Sequence, residues 1–472
     1  MKKSVLTTCL ALFLLFTACT PNTPPTESEI VTSAMQTAIA GTSAARLNAI
    51  ETPAPEPSMT ATSVSMPEQG SGATLEPTLA PPDAALETDL KIAYTDDQAN
   101  LWFWQSGAGS QQLTDSSDIN DFALSPDGSQ VFFSRANIFN EYSLWLINTD
   151  GSQEHQVMSA DDFAALPRPD QAVGVAPSQL GWAPGSHTAV FTTHNTYDGP
   201  GMDMNNDLRL VNGTTGAVST LLEPGQGGGM YFYSPDGSQI ALVKPDQIDL
   251  INSDGSHRRP AALKYGNVLM YTESPFYAQP VWSADGSRLR VIILAEDRLG
   301  KPEEPSSVWE IQAASGTSTH VLDFHLNGFG PAAAISPDLQ WLVYFQATDS
   351  GGQQDLHIAS LDGATDEIYA HGSLNWVTWT TDSRRFVWTR YGEVGSARQT
   401  FLGESGQEPI QLGAPQAPTD LAWVDGDRFL FLENDGATPP GWKLYLGSVG
   451  TSNQWLADLA AGNGIPRFEF AK

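Results

Sequence analysis

The residues best suited to bind a cation are Asp203, Asn205 and Asp207, which stand at alternate positions of one short segment. Calcium loops arrange oxygen ligands in this way, but they also contain a glycine and a bidentate glutamate that this segment lacks. The segment is therefore only a weak candidate for a metal site, and a solvated polar loop is the simpler interpretation. We expect no metal and no cofactor.

The remaining chemistry-bearing residues show no catalytic arrangement. The eight histidines are scattered and have no cysteine or glutamate partners at the spacing of zinc motifs. The pentapeptide G-x-S-x-G, which presents the nucleophile of α/β hydrolases, does not occur. We favour a non-catalytic protein, and a hydrolase or lyase that acts on polysaccharides remains the alternative.

Acidic residues recur in closely related turns along the chain. The hexapeptide Ser-Pro-Asp-Gly-Ser-Gln occurs twice, and similar turns follow it, with their acidic residues at Asp127, Asp236, Asp285, Asp338 and Asp382. One carboxylate in each unit of about 40 to 55 residues leaves these groups too far apart for paired acid–base catalysis. Asp and Gly favour tight reversals, so we predict that these carboxylates cap turns.

Each turn lies between apolar segments of strand length. In the unit at Asp127, residues 122–124 precede the turn and 131–133 follow it, and two further segments at 144–146 and 156–158 complete the unit. The apolar runs and the alternating segments are typical of buried and half-buried strands. Four antiparallel strands per unit predict an all-β protein with the fold of a β-propeller.

The two ends of the chain decide the number of blades. Residues 92–113 match the second, third and fourth strands of a unit, and residues 467–470 match a first strand. We therefore expect the N-terminal and C-terminal strands to share one blade and to close the ring. Seven complete units and this composite one make eight blades, and seven is the alternative if the degenerate unit at Gly185 merges with a neighbour.

The recurring S-P-D-G-S-Q pattern, followed by an apolar strand, an aliphatic strand and an Asp-Gly turn, resembles a known repeat. It is similar to the WD40-like, TolB-type (PD40) β-propeller repeat of bacterial envelope proteins, over about residues 90 to 472. The resemblance implies a propeller. It implies little about activity, because such rings serve as binding platforms, as accessory domains of peptidases and as enzymes.

The N-terminal residues predict export. Lys2 and Lys3 precede an apolar run over residues 5–18, which is typical of a secretory signal. Residues 15–19 resemble a bacterial lipobox, which implies lipidation of Cys19. We expect a signal peptide at 1–18, a disordered Thr-, Pro- and Ala-rich tether at 19–88, and the propeller at 89–472. The protein would be anchored to the membrane by its lipid, with the propeller on the extracytoplasmic side.

The formal net charge of −31 limits the choice of partners. Such a surface repels nucleic acid, so we expect none to bind. The partner that we expect is a protein or a glycan.

The connections differ in length in a way that indicates a binding face. Turns from first to second strand and from third to fourth strand lie on one face of a propeller, and here they are uniformly short. The long segments 161–178, 194–206, 264–279, 295–305, 323–331, 389–398 and 433–440 fall on the opposite face. Loops on a rigid scaffold commonly carry binding residues. We predict ligand contacts from Tyr197, Asp203, Asp207, Tyr265, Tyr271, Phe276, Tyr277 and Tyr391.

Overall fold

The computed structural model describes most of the chain after residue 89. The described residues are 90–137, 140–198, 207–227, 229–266, 276–296, 301, 303–326, 332–348, 352–391, 399–412, 421–434, 441–459 and 466–472.

The described residues form thirty-two short strands and one helix of five residues. The first strands along the chain are β1 (Lys91–Thr95), β2 (Leu101–Gln105) and β3 (Gly109–Gln112). Blade 2 contains β4 (Ile119–Leu124), β5 (Gln130–Ala136), β6 (Tyr142–Asn148) and β7 (His155–Met158), and is followed by α1 (Ala160–Ala164). Blade 3 contains β8 (Gly174–Trp182), β9 (Thr188–Thr196), β10 (Leu208–Asn212) and β11 (Val218–Leu222).

The middle of the chain forms three further blades. Blade 4 contains β12 (Met230–Tyr233), β13 (Gln239–Val243), β14 (Gln247–Asn252) and β15 (Arg259–Lys264). Blade 5 contains β16 (Val281–Trp282), β17 (Arg288–Ile293), β18 (Ser306–Gln312) and β19 (Ser318–Phe324). Blade 6 contains β20 (Ala333–Ile335), β21 (Trp341–Ala347), β22 (Gln354–Ser360) and β23 (Asp366–Gly372).

The last two complete blades and the final strand end the chain. Blade 7 contains β24 (Leu374–Trp379), β25 (Phe386–Arg390), β26 (Gln399–Gly403) and β27 (Ile410–Gln411). Blade 8 contains β28 (Leu421–Trp423), β29 (Arg428–Asn434), β30 (Trp442–Ser448) and β31 (Gln454–Leu459). The final strand is β32 (Phe468–Ala471), and it joins β1, β2 and β3 to form blade 1.

The strands form eight antiparallel sheets of four strands each. Seven of these sheets follow the order of the chain, and the eighth has the order β3-β2-β1-β32, with Ala93 opposite Glu469. The prediction of eight blades with a composite closing blade is therefore confirmed. The degenerate unit at Gly185 forms a complete blade, so the seven-bladed alternative is wrong.

The hydrophobic core is divided among the spaces between the blades. The described apolar residues form eight clusters, and each cluster combines residues of two neighbouring blades around the whole ring. On β5, Val131 and Phe133 pack towards blade 1, whereas Phe132, between them, packs towards blade 3. Successive side chains of a strand point to opposite faces of its sheet, and here both faces are buried. This arrangement explains the continuous apolar runs of the inner strands, such as β5.

The recurring acidic residues cap turns, as predicted. In the turn of blade 2, the Ser125 hydroxyl donates to Asp127 Oδ1 at 2.7 Å, and the backbone N–H of Ser129 donates to the same oxygen at 3.1 Å. The same bonds recur at Asp236, Asp285, Asp338 and Asp382. Hydrogen bonds from Ser283 and Ser287 lower the pKa of Asp285 to about 2. These carboxylates stabilise the hairpins, and they already accept hydrogen bonds within their own turns.

Tryptophan residues at the ends of first strands join neighbouring blades. The indole N–H groups of Trp182, Trp282 and Trp379 donate to backbone carbonyls of the preceding first strand, at 3.0, 3.2 and 2.9 Å. Trp423 has the same position in blade 8 and is equally buried, but its N–H has no hydrogen-bond partner within the described residues. Sequence reasoning did not predict these bonds between blades.

This difference between two equivalent tryptophans gives a matched pair of substitutions. We expect Trp182→Phe to lower the free energy of unfolding by about 1 kcal/mol more than Trp423→Phe, since only the first removes a buried hydrogen bond. Both substitutions lose a similar apolar area, because both side chains are 4% exposed. Denaturant unfolding of the two variants measures the difference. Equal losses of stability would mean that the bond to Ala123 contributes nothing.

A buried carboxylate lies where the ring closes. Glu469, in β32, is 2% exposed and accepts a hydrogen bond from the backbone N–H of Leu124, in blade 2, at 2.9 Å. Arg467 donates to the other oxygen of Glu469 at 2.9 Å and also forms an ion pair with Asp121. At the other side of blade 1, Lys472 Nζ donates to the Val424 carbonyl of blade 8 at 2.7 Å. The C-terminal strand is therefore bound to both neighbouring blades.

Candidate functional site

The two faces of the ring differ in the lengths of their connections. On one face, every described turn from first to second or from third to fourth strand has three to six residues. On the opposite face, the connections range from one residue, between β23 and β24, to sixteen, between β15 and β16. We call this second surface the long-loop face. The prediction that the long connections lie on one face is confirmed. The predicted loop segments 161–178 and 194–206 are shorter than expected, because β8 already begins at Gly174 and β9 continues to Thr196.

Three of the predicted aromatic contacts pack onto the ring. Tyr265, Phe276 and Tyr277 are partly buried against the cluster between blades 4 and 5. The Tyr265 hydroxyl donates to the Lys244 carbonyl, and burial raises the pKa of this phenol, with Asp246 adding to the effect. The Tyr277 ring lies so close to Gly229 that a Cβ there would come within 2.1 Å of its Cε1. These side chains hold their connection in place.

Two other predicted aromatic residues reach the surface of the long-loop face. Tyr391, directly after β25, is 40% exposed, and its hydroxyl accepts a hydrogen bond from Asn375 at 3.2 Å. Tyr197, directly after β9, is partly exposed. Val173, which is 62% exposed, lies on the same face directly before β8. The predicted residues Asp203, Asn205 and Tyr271 lie outside the described residues.

Asp207 occupies a structural position inside blade 3. Its side chain is fully buried and accepts hydrogen bonds from the backbone N–H of Thr193 at 2.7 Å and from the Thr193 hydroxyl at 3.0 Å. Arg209 Nε donates to the same carboxylate at 2.8 Å, and the Arg209 side chain is 10% exposed. The two oxygens of Asp207 are therefore occupied by β9 and β10. Within the described residues, no group of three His, Cys, Asp or Glu side chains is close enough to hold a metal ion.

A cavity of about 300 Å³ opens on the long-loop face of blade 3. Its walls are residues 166–169, which follow α1, residues 193–195 at the end of β9, and residues 224–225 after β11. Arg168 and His194 are the two basic side chains of this cavity. Sequence reasoning placed both within long connections but did not select them. The signal that could have identified Arg168 is its position between Pro167 and Pro169.

The closed ring of eight four-stranded antiparallel blades places this chain among the β-propeller proteins. No protein-family model matches the chain, and no curated protein sequence matches it. No helix of the described residues is long and apolar enough to cross a membrane.

Solved structures of propeller proteins are similar to this chain. The crystal structure of the eukaryotic initiation factor is 12% identical, with 79% of this chain and 85% of that chain covered and a TM-score of 0.47. An oligogalacturonate lyase in complex with manganese is 15% identical, with 67% and 91% covered and a TM-score of 0.42. TolB from Acinetobacter baumannii is 17% identical, with 58% and 62% covered and a TM-score of 0.29. At these identities the similarity concerns the fold alone.

Proposed function

We propose that this chain is an exported, lipid-anchored protein whose propeller binds a protein partner through the long-loop face without catalysis. The observation that carries the proposal is the difference in connection length between the two faces of the ring. The short turns are stabilised by their own Ser–Asp hydrogen bonds, whereas the variable connections are all presented on the other side of a rigid ring. A rigid scaffold with variable loops is a common design for recognition.

The described aromatic residues favour a protein over a glycan as the partner. Three aromatic residues that could have offered exposed rings to a sugar, Tyr265, Phe276 and Tyr277, are packed against the ring of blades instead. The long-loop face instead exposes single apolar side chains, Val173 and Tyr391, among polar ones. Apolar and aromatic side chains with a polar surround are typical of protein interfaces.

Photo-crosslinking in the native membrane tests the proposed face. A photo-reactive amino acid replaces Tyr391 or Val173 on the long-loop face, or Asp150 or Asp254 in exposed turns of the opposite face, in the full chain. We expect one protein adduct from the first two positions and none from the turns. Equal adducts from both faces, or no adduct from Tyr391 and Val173, would contradict the proposal. An adduct that periodate oxidation removes would identify a glycan instead, and release of sugar products from envelope polysaccharide would identify an enzyme.

The proposed anchor has its own test. We expect the full chain to incorporate labelled palmitate and to sediment with membranes, and Cys19→Ala to lose both properties, because Cys19 is the acylated residue of a lipobox. Cys9→Ala is the matched control and should keep the label. Label that persists in Cys19→Ala would show that the lipid is attached elsewhere or that the interpretation of the N-terminal residues is wrong.

A further inference from the structure

The cavity of blade 3 combines basic and apolar groups in a small space. Its volume of about 300 Å³ accommodates one amino-acid side chain with its neighbouring backbone. Leu166, Pro167, Pro169 and Pro224 supply apolar walls, and the strand end at 193–195 supplies polar ones. The cavity therefore offers a place for the methylene groups of a ligand beside a place for its polar end.

Arg168 lines the cavity from a backbone of restricted conformation. Pro167 and Pro169 restrict the backbone on both sides of this residue, because proline fixes its own φ and disfavours helical backbone at the preceding residue. Arg168 Nη1 donates to the carbonyl of Ala164, the last residue of α1, at 2.8 Å. The guanidinium group carries four further N–H donors, and within the described residues it forms no ion pair.

His194 supplies a second hydrogen-bond donor. Burial lowers the pKa of its imidazole. Within the described residues the imidazole forms no hydrogen bond or ion pair, so its N–H is available to a ligand in the cavity. The nearby charges of Asp207 and Arg209 neutralise each other in their own ion pair at 2.8 Å.

The cavity presents an arginine without a carboxylate partner among the described residues, although the chain as a whole is strongly acidic. The chain has 54 acidic residues against 23 lysines and arginines. Many of the described arginines already face a carboxylate, as Arg135, Arg209, Arg290, Arg385 and Arg428 do. Within the part of the chain that the structure describes, Arg168 has no such partner, and the His194 imidazole lines the same concave site as a second hydrogen-bond donor. A planar guanidinium with several free donors matches the two oxygens of a carboxylate.

We infer that this cavity binds the carboxylate of an acidic side chain on the protein partner. Arg168 and His194 would donate hydrogen bonds to its two oxygens, and the proline rings would cover its methylene groups. This inference rests on the proposed function and adds the chemistry of the partner, an exposed Glu or Asp presented to blade 3. No bond is formed or broken.

The test uses single amino acids as probes of the purified, detergent-solubilised full chain. The probes are N-acetyl-glutamate amide, its neutral glutamine analogue, glucuronate and inorganic phosphate, and ligand-observed NMR measures their binding. We expect N-acetyl-glutamate amide to bind with a Kd on the order of 1 mM and the glutamine analogue to bind at least about tenfold more weakly. Arg168→Gln should weaken binding of the glutamate probe about tenfold, since it removes charge-assisted hydrogen bonds.

Lys264→Gln is the matched control. It removes one exposed positive charge from the same face, at the end of β15 and outside the cavity, and should leave Kd unchanged. Undetectable binding of the glutamate probe, equal binding of the glutamine analogue, or an Arg168→Gln variant that binds like the wild type would overturn the inference. Tighter binding of glucuronate or phosphate would overturn the assignment to a protein carboxylate.

The outcome is separable from that of the proposed function. If Tyr391 and Val173 still crosslink to a protein while the cavity fails these measurements, the long-loop face remains the binding face and only the role of the cavity is wrong. If the crosslinks fail while the glutamate probe binds, the cavity accepts carboxylates and the proposed partner is wrong.

Discussion

Glu469→Ala should lower the free energy of unfolding by about 3 kcal/mol, because it removes a buried carboxylate that joins the first strands of blades 1 and 2. The substitution leaves the buried N–H of Leu124 without its acceptor, and among the described residues Arg467 keeps only Asp121 as an ionic partner. An unpaired buried donor and a weakened ion pair both destabilise the folded state. Equilibrium unfolding in denaturant, followed by tryptophan fluorescence, measures the loss.

Two further variants separate ring closure from a general effect of losing a glutamate. Glu469→Gln keeps an oxygen that can accept from Leu124 and should lose less stability than Glu469→Ala. Glu367→Ala removes an exposed glutamate from β23, an outermost strand, and should change stability by less than about 0.5 kcal/mol. If Glu469→Ala were as stable as Glu367→Ala, the buried carboxylate would not contribute to closing the ring.

Asp207→Ala should lower the free energy of unfolding by about 3 to 5 kcal/mol, which is the expected effect of breaking a buried ion pair. The variant leaves the Arg209 guanidinium, which is 10% exposed, without its carboxylate. The backbone N–H of Thr193, at the end of β9, loses its acceptor as well. The same unfolding measurement applies, and calorimetry should show a lower Tm.

Asp198→Ala is the control for this prediction, because Asp198 is an exposed aspartate in the same connection between β9 and β10. It should change stability by less than about 0.5 kcal/mol. An Asp207→Ala variant with unchanged stability and reduced partner crosslinking from Tyr391 would show that Asp207 serves as a ligand residue, as the sequence pattern suggested.

The stability of the Asp207→Ala and Arg168→Gln variants also decides how their effects on binding are interpreted. Asp207 does not line the cavity, but it accepts hydrogen bonds from Thr193, which does. Loss of Asp207 can therefore disturb binding indirectly through Thr193. Arg168 is exposed and contacts only the Ala164 carbonyl among the bonds described. An Arg168→Gln variant should therefore stay as stable as the wild type, and any loss of binding can be assigned to the lost charge.

The sequence by itself determined the architecture. Repeated turns with Asp and Gly, each between two apolar segments, impose the same hairpin in almost every blade, because turn geometry and strand periodicity are local properties. The unmatched strands at the two ends predicted the composite blade, and Ala93 does lie opposite Glu469. The difference between short and long connections likewise followed from residue counts alone.

Only the tertiary structure decided what individual side chains do. Tyr265 and Tyr277 resembled binding residues because they stand in loop-like sequence, yet they pack onto blades 4 and 5. Asp207 resembled a ligand but is paired with Arg209, and the cavity of Arg168 and His194 is formed by three separate segments between residues 166 and 225. Strand pairing follows from local sequence pattern, whereas the burial and the hydrogen-bond partners of a loop side chain depend on how its connection packs onto the strands beneath it.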